Sequence, residues 1–192
     1  MNDHLRERPA LLVIDMVRDN FDPAKNLPIT APARAVIGPI NRLSRTFRNH
    51  GCPVVFATDA FHPDDFIFQS RMKPHSLAGT RGAEVVDDLE HTPGDLWLPK
   101  PRFSAFFKTD LAEWLRSEQV SLCAVAGIAT HFCVLSTALD AVCHDFKAVL
   151  LEDCSADSSA ELHEQTLGLY RRNPLQPLLE VMTSREFDQK MF

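Results

Sequence analysis

Cys133 is the strongest candidate nucleophile in this 192-residue chain. It lies in the stretch from Ser121 to Asp140, which opens as a short apolar run over Leu122 to Ala126 and reads as a buried strand. Gly127 breaks the run, and Phe132, Leu135, Leu139 and Val142 then recur at helical spacing. Cys133 therefore falls at the first turn of the helix that follows. Unpaired N–H groups and the positive end of the helix dipole gather there, and both favour a thiolate. The plain alternative is a small buried side chain, since free cysteine is among the most buried residue types.

A nucleophilic thiol needs a proton acceptor and a counter-charge. Asp15, Asp59, Lys100 and Asp153 each follow an apolar run that reads as a strand. Each also suits a turn or a helix cap. A base, a cation and a thiol on one rim are harder to explain that way. The stretch from Ala60 to Gly82 is long for a connection in a compact domain, and such loops tend to serve function. It holds Phe61, His62, Asp64, Asp65, Phe66, Phe68, Arg71, Lys73 and His75, all able to line a pocket.

The elements that must position these groups alternate along the chain. Strands are expected at Ala10 to Ile14, Val54 to Ala57, Asp95 to Leu98, Leu122 to Ala126, Ala148 to Leu151 and Leu179 to Met182. The expected helices run from Pro32 to Asn49, with a kink or a late start at Pro39, and over Ala83 to Leu89. Others follow from Asp110 to Ser117 under a Thr109 cap, from Ser158 or Ser159 to Arg172, and beyond a cap at Thr183 or Ser184. Alternation of this kind implies a parallel sheet covered on both faces, with ligands bound at the carboxyl ends of its strands. Residues 1–192 read as one domain, without repeats or a linker.

Composition narrows the function classes. A hydrophobic fraction of 45% and a charged fraction of 24% are ordinary for a soluble globular protein. The net charge of -6 argues against a general nucleic-acid or anionic-membrane surface. No apolar run approaches the roughly 20 residues that span a bilayer, and the first residues lack the apolar core of a signal peptide. The five cysteines include no C-x-x-C pair, which fits a reducing compartment better than a disulfide framework or a structural zinc site. A cytoplasmic protein acting on a small molecule, as a homo-oligomer, is the expected setting.

Three segments resemble the isochorismatase-like cysteine hydrolases, a family that includes nicotinamidase, N-carbamoylsarcosine amidase and ureidoacrylate amidohydrolase. They are Leu11 to Met16, Pro99 to Phe106 and Gly127 to Val134, with a weaker match from Gly79 to Glu84. The resemblance implies a three-layer, doubly wound α/β fold, Rossmann-like, with six parallel strands in the order 3-2-1-4-5-6. It implies a triad of Asp15, Lys100 and Cys133, a cis bond at Ile128–Ala129, and an oxyanion hole formed by the N–H groups of Ala129 and Cys133. The implied reaction is cleavage of an amide-type C–N bond in a small carboxamide or carbamoyl compound, through a thioester. A non-catalytic binding protein of the same fold, or a hydrolase of another substrate class such as an isochorismatase-type ether, are the alternatives.

Substrate contacts are expected from Phe21, Asp59, Phe106 and His131. Phe21 stands one position later than the family's pocket phenylalanine, and the cluster of Phe103, Phe106 and Phe107 also suits core or a subunit contact. His131 can border the pocket or cap the helix. No cofactor is expected. Metal-binding nicotinamidases carry Asp-x-His and a later His, whereas here Asp59 and His62 are separated by two residues. On an extended segment that spacing turns them to opposite faces, so a divalent metal at Asp59, His62 and His75 is disfavoured.

Overall fold

The computed structural model describes residues 7–192, so the N-terminal reading above falls partly outside it. Strand β1 (Pro9–Ile14) is buried along its whole length. Leu11 and Val13 face one side of the sheet, whereas Ala10, Leu12 and Ile14 face the other. Both sides are apolar, which a strand tolerates only when helices cover each face. Helix α1 (Thr30–Asn49) covers the first with Ala33, Val36, Ile37, Ile40, Leu43 and Phe47. Its apolar stripe holds it continuous through Pro39, so the late start does not occur.

Strands β2 (Val54–Asp59), β3 (Leu96–Lys100), β4 (Leu122–Ile128), β5 (Lys147–Ala156) and β6 (Leu179–Met182) complete a sheet of order β3-β2-β1-β4-β5-β6. Every pairing is parallel. Helix α5 (Ser184–Met191) joins α1 on the first face, and α2 (Leu111–Ser117), α3 (Leu135–Cys143) and α4 (Ala160–Tyr170) supply the second. Thr183 caps α5 through a capping box closed by Glu186. None of these helices is long and apolar enough to cross a membrane.

Four sequence expectations need correction. The helix expected over Ala83 to Leu89 is a 3-10 turn at Arg81–Ala83 followed by extended chain, in which Val85 bridges Val17. The third strand begins at Leu96 and runs through Lys100, because Asp95 turns aside to bind Arg48 at 2.8 Å. The apolar residues of α3 are less buried than the simple periodic reading expects, although they still pack against the core of the second face. Thr137, Ala138 and Ala141 pack against the sheet, whereas Leu135, Leu139 and Val142 are only half-buried. Finally, β5 continues past Asp153, since its register to β4 shifts between Val125 and Gly127. Asp153 leaves the rim as a result and receives the Ser184 N–H at 2.6 Å.

The order of strands makes β1 and β4 neighbours, with Ile14 opposite Gly127. Gly127 has φ +108°, and a Cβ there would lie 2.1 Å from the Ile14 carbonyl oxygen. Only glycine meets both demands. Gly127→Ala should cost about 3 kcal/mol or more, because the obstacle is backbone and cannot swing aside. Chemical denaturation of the purified variant checks this; an unchanged midpoint would mean that the strand junction relaxes freely.

Candidate active site

Asp15 is the residue immediately after β1, and it turns the chain with φ 53°. Its own N–H still donates to Ala57 at 2.9 Å, and its carbonyl accepts from Val17 and from Asn20 Nδ2. These bonds fix the carboxylate above the strand ends. There Oδ1 accepts the Asp59 N–H at 2.8 Å. Asp59 ends β2 and Lys100 ends β3, and the two are paired in the sheet register. Three parallel strands thus deliver three charged groups side by side.

Lys100 is fully buried, an environment that an ammonium tolerates only with partners. Its Nζ donates to Asp59 Oδ1 and, at 3.0 Å, to the Arg102 carbonyl. It also forms an ion pair with Asp15 Oδ2 at 2.8 Å. Burial alone would depress the lysine pKa, but Asp15, Cys133 and Asp59 together overturn that and raise it. Lys100 therefore stays an ammonium. For Asp59, burial and then the Asp15 charge push the pKa from 3.8 to about 7, against the pull of Lys100.

Cys133 enters from β4. After Ile128 the chain makes one π-helical turn, Thr130–Val134, before α3 begins. This turn aims Sγ at the carboxylates, and ligand atoms of Cys133, Asp15 and Asp59 all lie within 4.8 Å of one another. The peptide bond before the turn, Ile128–Ala129, is cis. Burial, then Asp15, raise the thiol pKa well above its usual value, and Lys100 offsets this only in part. The resting sulfur is a thiol, contrary to the thiolate expected from the helix terminus alone. Desolvation and a neighbouring carboxylate outweigh the helix dipole.

The thiol and both carboxylates open into a cleft of about 200 Å³. Ala129, His131, Phe103 and Phe132 line one part of it, and Phe61, Met72 and His75 another. Phe103 meets Phe132 edge-on at 5.0 Å. A second hollow, of about 220 Å³, lies near the sheet edge by Phe56, His91 and Trp97, and no cysteine or lysine lines it.

A strand-borne carboxylate, ammonium and thiol of this layout sit in a chain whose residues 9–186 match the model of the Isochorismatase domain. The chain belongs to the isochorismatase family. An uncharacterised isochorismatase family protein of Bacillus subtilis, PncA, is 32% identical over 174 residues, covering 84% of this chain and 93% of the relative. N-carbamoylsarcosine amidase from Thermoplasma acidophilum has a TM-score of 0.78 at 30% identity, over 92% of this chain and 96% of that one. Pyrazinamidase of Pyrococcus horikoshii, in complex with zinc, has a TM-score of 0.77 at 28% identity, over 92% and 99%. The protein is an isochorismatase-family hydrolase with amidase-like relatives.

Within this isochorismatase-family site, the residues singled out from sequence separate cleanly. Asp15, Asp59, Lys100 and Cys133 converge, and Ala129 and His131 line the cleft. Phe21 does not line it: Phe21 is 4% exposed, in the core beneath Arg34, and Asn20 takes the pocket position instead. Phe106 does not either, because it stacks on His144 and Phe146 in the core. Asp157 went unnoticed in the sequence. It is buried at the end of β5, and its Oδ2 accepts from the His131 N–H at 2.9 Å and meets His131 Nδ1 at 2.5 Å. An Asp-Ser-Ser run ahead of a helix was the available signal.

Of the three residues weighed as metal ligands, Asp59 and His75 line the cleft and His62 does not. His62 is exposed, with Nδ1 accepting the Asp64 N–H, and His75 Nδ1 donates to the Lys73 carbonyl. Asp59 faces the cleft but is claimed by the Lys100 ammonium, which already supplies the local cation.

The elevated Asp59 pKa makes a thermodynamic prediction. Above pH 3.8 the unfolded chain releases this proton while the folded chain keeps it until about pH 7. Stability present below the lower value is therefore lost as pH rises through the upper one. Asp59→Asn should remove that slope, so its stability relative to wild type should rise between about pH 4 and 7 and then level off. Denaturant titrations at several pH values measure it; parallel curves for the two proteins would refute the assignment.

Proposed function

We propose that this hydrolase cleaves the C–N bond of a small carboxamide or carbamoyl compound through a thioester on Cys133. The observation that carries this reading is the meeting of the Cys133 thiol with Asp15 beside a buried ammonium, in a cleft with room for a small substrate. The raised thiol pKa calls for a base at the moment of attack, and Asp15 Oδ2 is the acceptor at hand.

In the first half-reaction Asp15 takes the Sγ proton as sulfur bonds to the substrate carbonyl carbon. The carbonyl oxygen becomes an oxyanion and accepts from the N–H groups of Ala129 and Cys133. N–H groups of a first helical turn have no acceptor within the helix and are free for this task. Asp15 then gives its proton to the departing nitrogen, the C–N bond breaks and the thioester remains. Water attacks the thioester, its proton passes to Asp15, and the C–S bond breaks to release the acid. Asp15 finally returns the proton to sulfur. Lys100 holds Asp15 in place as its ion-pair partner at 2.8 Å, and Phe103 and Phe132 provide apolar walls for the substrate body.

Ammonia release from a panel of carboxamide, carbamoyl and ureido compounds tests the reaction, with mass spectrometry of quenched enzyme to detect the acyl group on Cys133. Turnover without any acyl-enzyme under rapid quench would reject the thioester route. No step here uses a metal: His62 lies outside the cleft, and the Lys100 ammonium is already the cation against Asp59. Dialysis against a strong chelator should leave kcat/KM unchanged, and added zinc, manganese or iron should not raise it. Loss on chelation with recovery on one metal would overturn that.

A further inference from the structure

We infer that the substrate carries an anionic group, seated on a basic wall formed by Arg71 and Lys73 beside the reactive cleft. This deepens, and rests on, the amidohydrolase reading.

The chain has 26 acidic against 20 basic residues. Arg18, Arg45, Arg48, Arg102 and Arg171 each pair with an acid, whereas Arg42, Arg81, Lys108, Arg116, Arg172 and Arg185 form no ion pair among the described residues but line neither the cleft nor the hollow beside it. Arg71 and Lys73 are exposed and have no acidic partner among the described residues. Both line a hollow of about 560 Å³. Asn20, Met72 and His75 line this hollow and the reactive cleft alike, so the two adjoin.

The hollow holds one carboxylate, Asp19, and its charge is already matched. Lys25 lies 2.5 Å from Oδ1, and the Ser76 N–H donates to Oδ2 at 2.7 Å. Two uncompensated cations remain, one of them a guanidinium whose planar fork fits a carboxylate or phosphate through two parallel bonds. His75 Nδ1 donates to the Lys73 carbonyl, since that oxygen can only accept, and this leaves Nε2 for the shared boundary. A molecule with its carbonyl carbon at Cys133 and an anion a few bonds away spans both spaces. The two ends of the site then divide the work: carboxylates and thiol react, and the basic wall selects.

The experiment compares succinamate with 4-oxopentanamide, its neutral near-isostere, and with 3-phosphonopropanamide. Calorimetric binding to Cys133→Ala needs no turnover, and ammonia release by the active protein gives kcat/KM. Succinamate or the phosphonate should bind about tenfold more tightly than the neutral amide, with an advantage that shrinks as salt rises. Arg71→Gln with Lys73→Gln should erase most of that ratio. The stronger of the two anionic probes tells a carboxylate site from a phosphate site. Equal affinity for charged and neutral probes, no measurable binding of either anion, or a ratio unmoved by the double substitution would each overturn the inference. Anion preference in binding without ammonia release would instead reject the reaction and keep the wall.

Discussion

Cys133→Ala should yield a folded protein with no measurable turnover. The side chain is 8% exposed and contributes one sulfur atom to the packing around the π-helical turn. Removing so small a group leaves a slight void, worth about 1 kcal/mol, which a domain of this size absorbs. Its chemical role has no substitute. The other buried thiols, Cys52, Cys123 and Cys154, are far from the carboxylates in the chain's layout: Cys123 lies within β4, and Cys52 and Cys154 belong to the opposite sheet face. Circular dichroism and thermal melting establish the fold, and ammonia release on the best substrate from the panel reads turnover. Wild-type kcat in the variant would remove Cys133 from the mechanism altogether.

Asp15→Asn is the second large effect, with an expected loss of about 10²–10⁴ in kcat, the usual contribution of a positioned acid–base group. The amide oxygen of asparagine can still accept the Asp59 N–H, so the geometry of the strand ends survives. What disappears is the ability to take the sulfur proton and return it to the leaving group. Asp59 is the rival base, since it too lies within 4.8 Å of the thiol and its pKa of about 7 suits proton transfer. Asp59 Oδ1, however, is bound by Lys100, whereas Asp15 is the carboxylate that hydrogen-bonds the Cys133 side chain. Asp59→Asn should therefore retain far more kcat than Asp15→Asn. The reverse order would hand the proton shuttle to Asp59.

Strand ends were readable from sequence because a run of apolar residues closing on a single charge is a local pattern. Asp15, Asp59 and Lys100 all announce themselves that way, and the Gly127 break places Cys133 at a turn. Asp157 does not, because the register shift in β5 depends on how β4 bends beside it. The exposed Asp153 mimics a rim residue in sequence and becomes a helix anchor in space. Helix α3 misleads for a related reason. A helix lying close on a sheet uses its smallest side chains at the contact, so Ala138 and Ala141 are fully buried there, while Leu135 and Leu139 pack against the same core from its half-buried margin. Phe21 and Phe106 show the ambiguity of aromatics, which fill cores as readily as pockets. The electrostatics were least legible. That Cys133 rests as a thiol follows from burial and from Asp15, and neither can be read from its helical position.

The side-by-side pairing of β1 and β4 also governs when activity can appear during synthesis. A chain emerging from its N-terminus carries Asp15, then Asp59 and Lys100, long before the strand that bears the nucleophile's turn. Until β4 slots in against Ile14, the buried ammonium and its carboxylates lack one wall and lie open to water. On the proposed thioester route, truncated products ending before β4 lack the Cys133 thiol and should release no ammonia. In the complete chain the same seam makes catalysis a readout of long-range assembly: separating β1 from β4 silences the site even where each half keeps its helices.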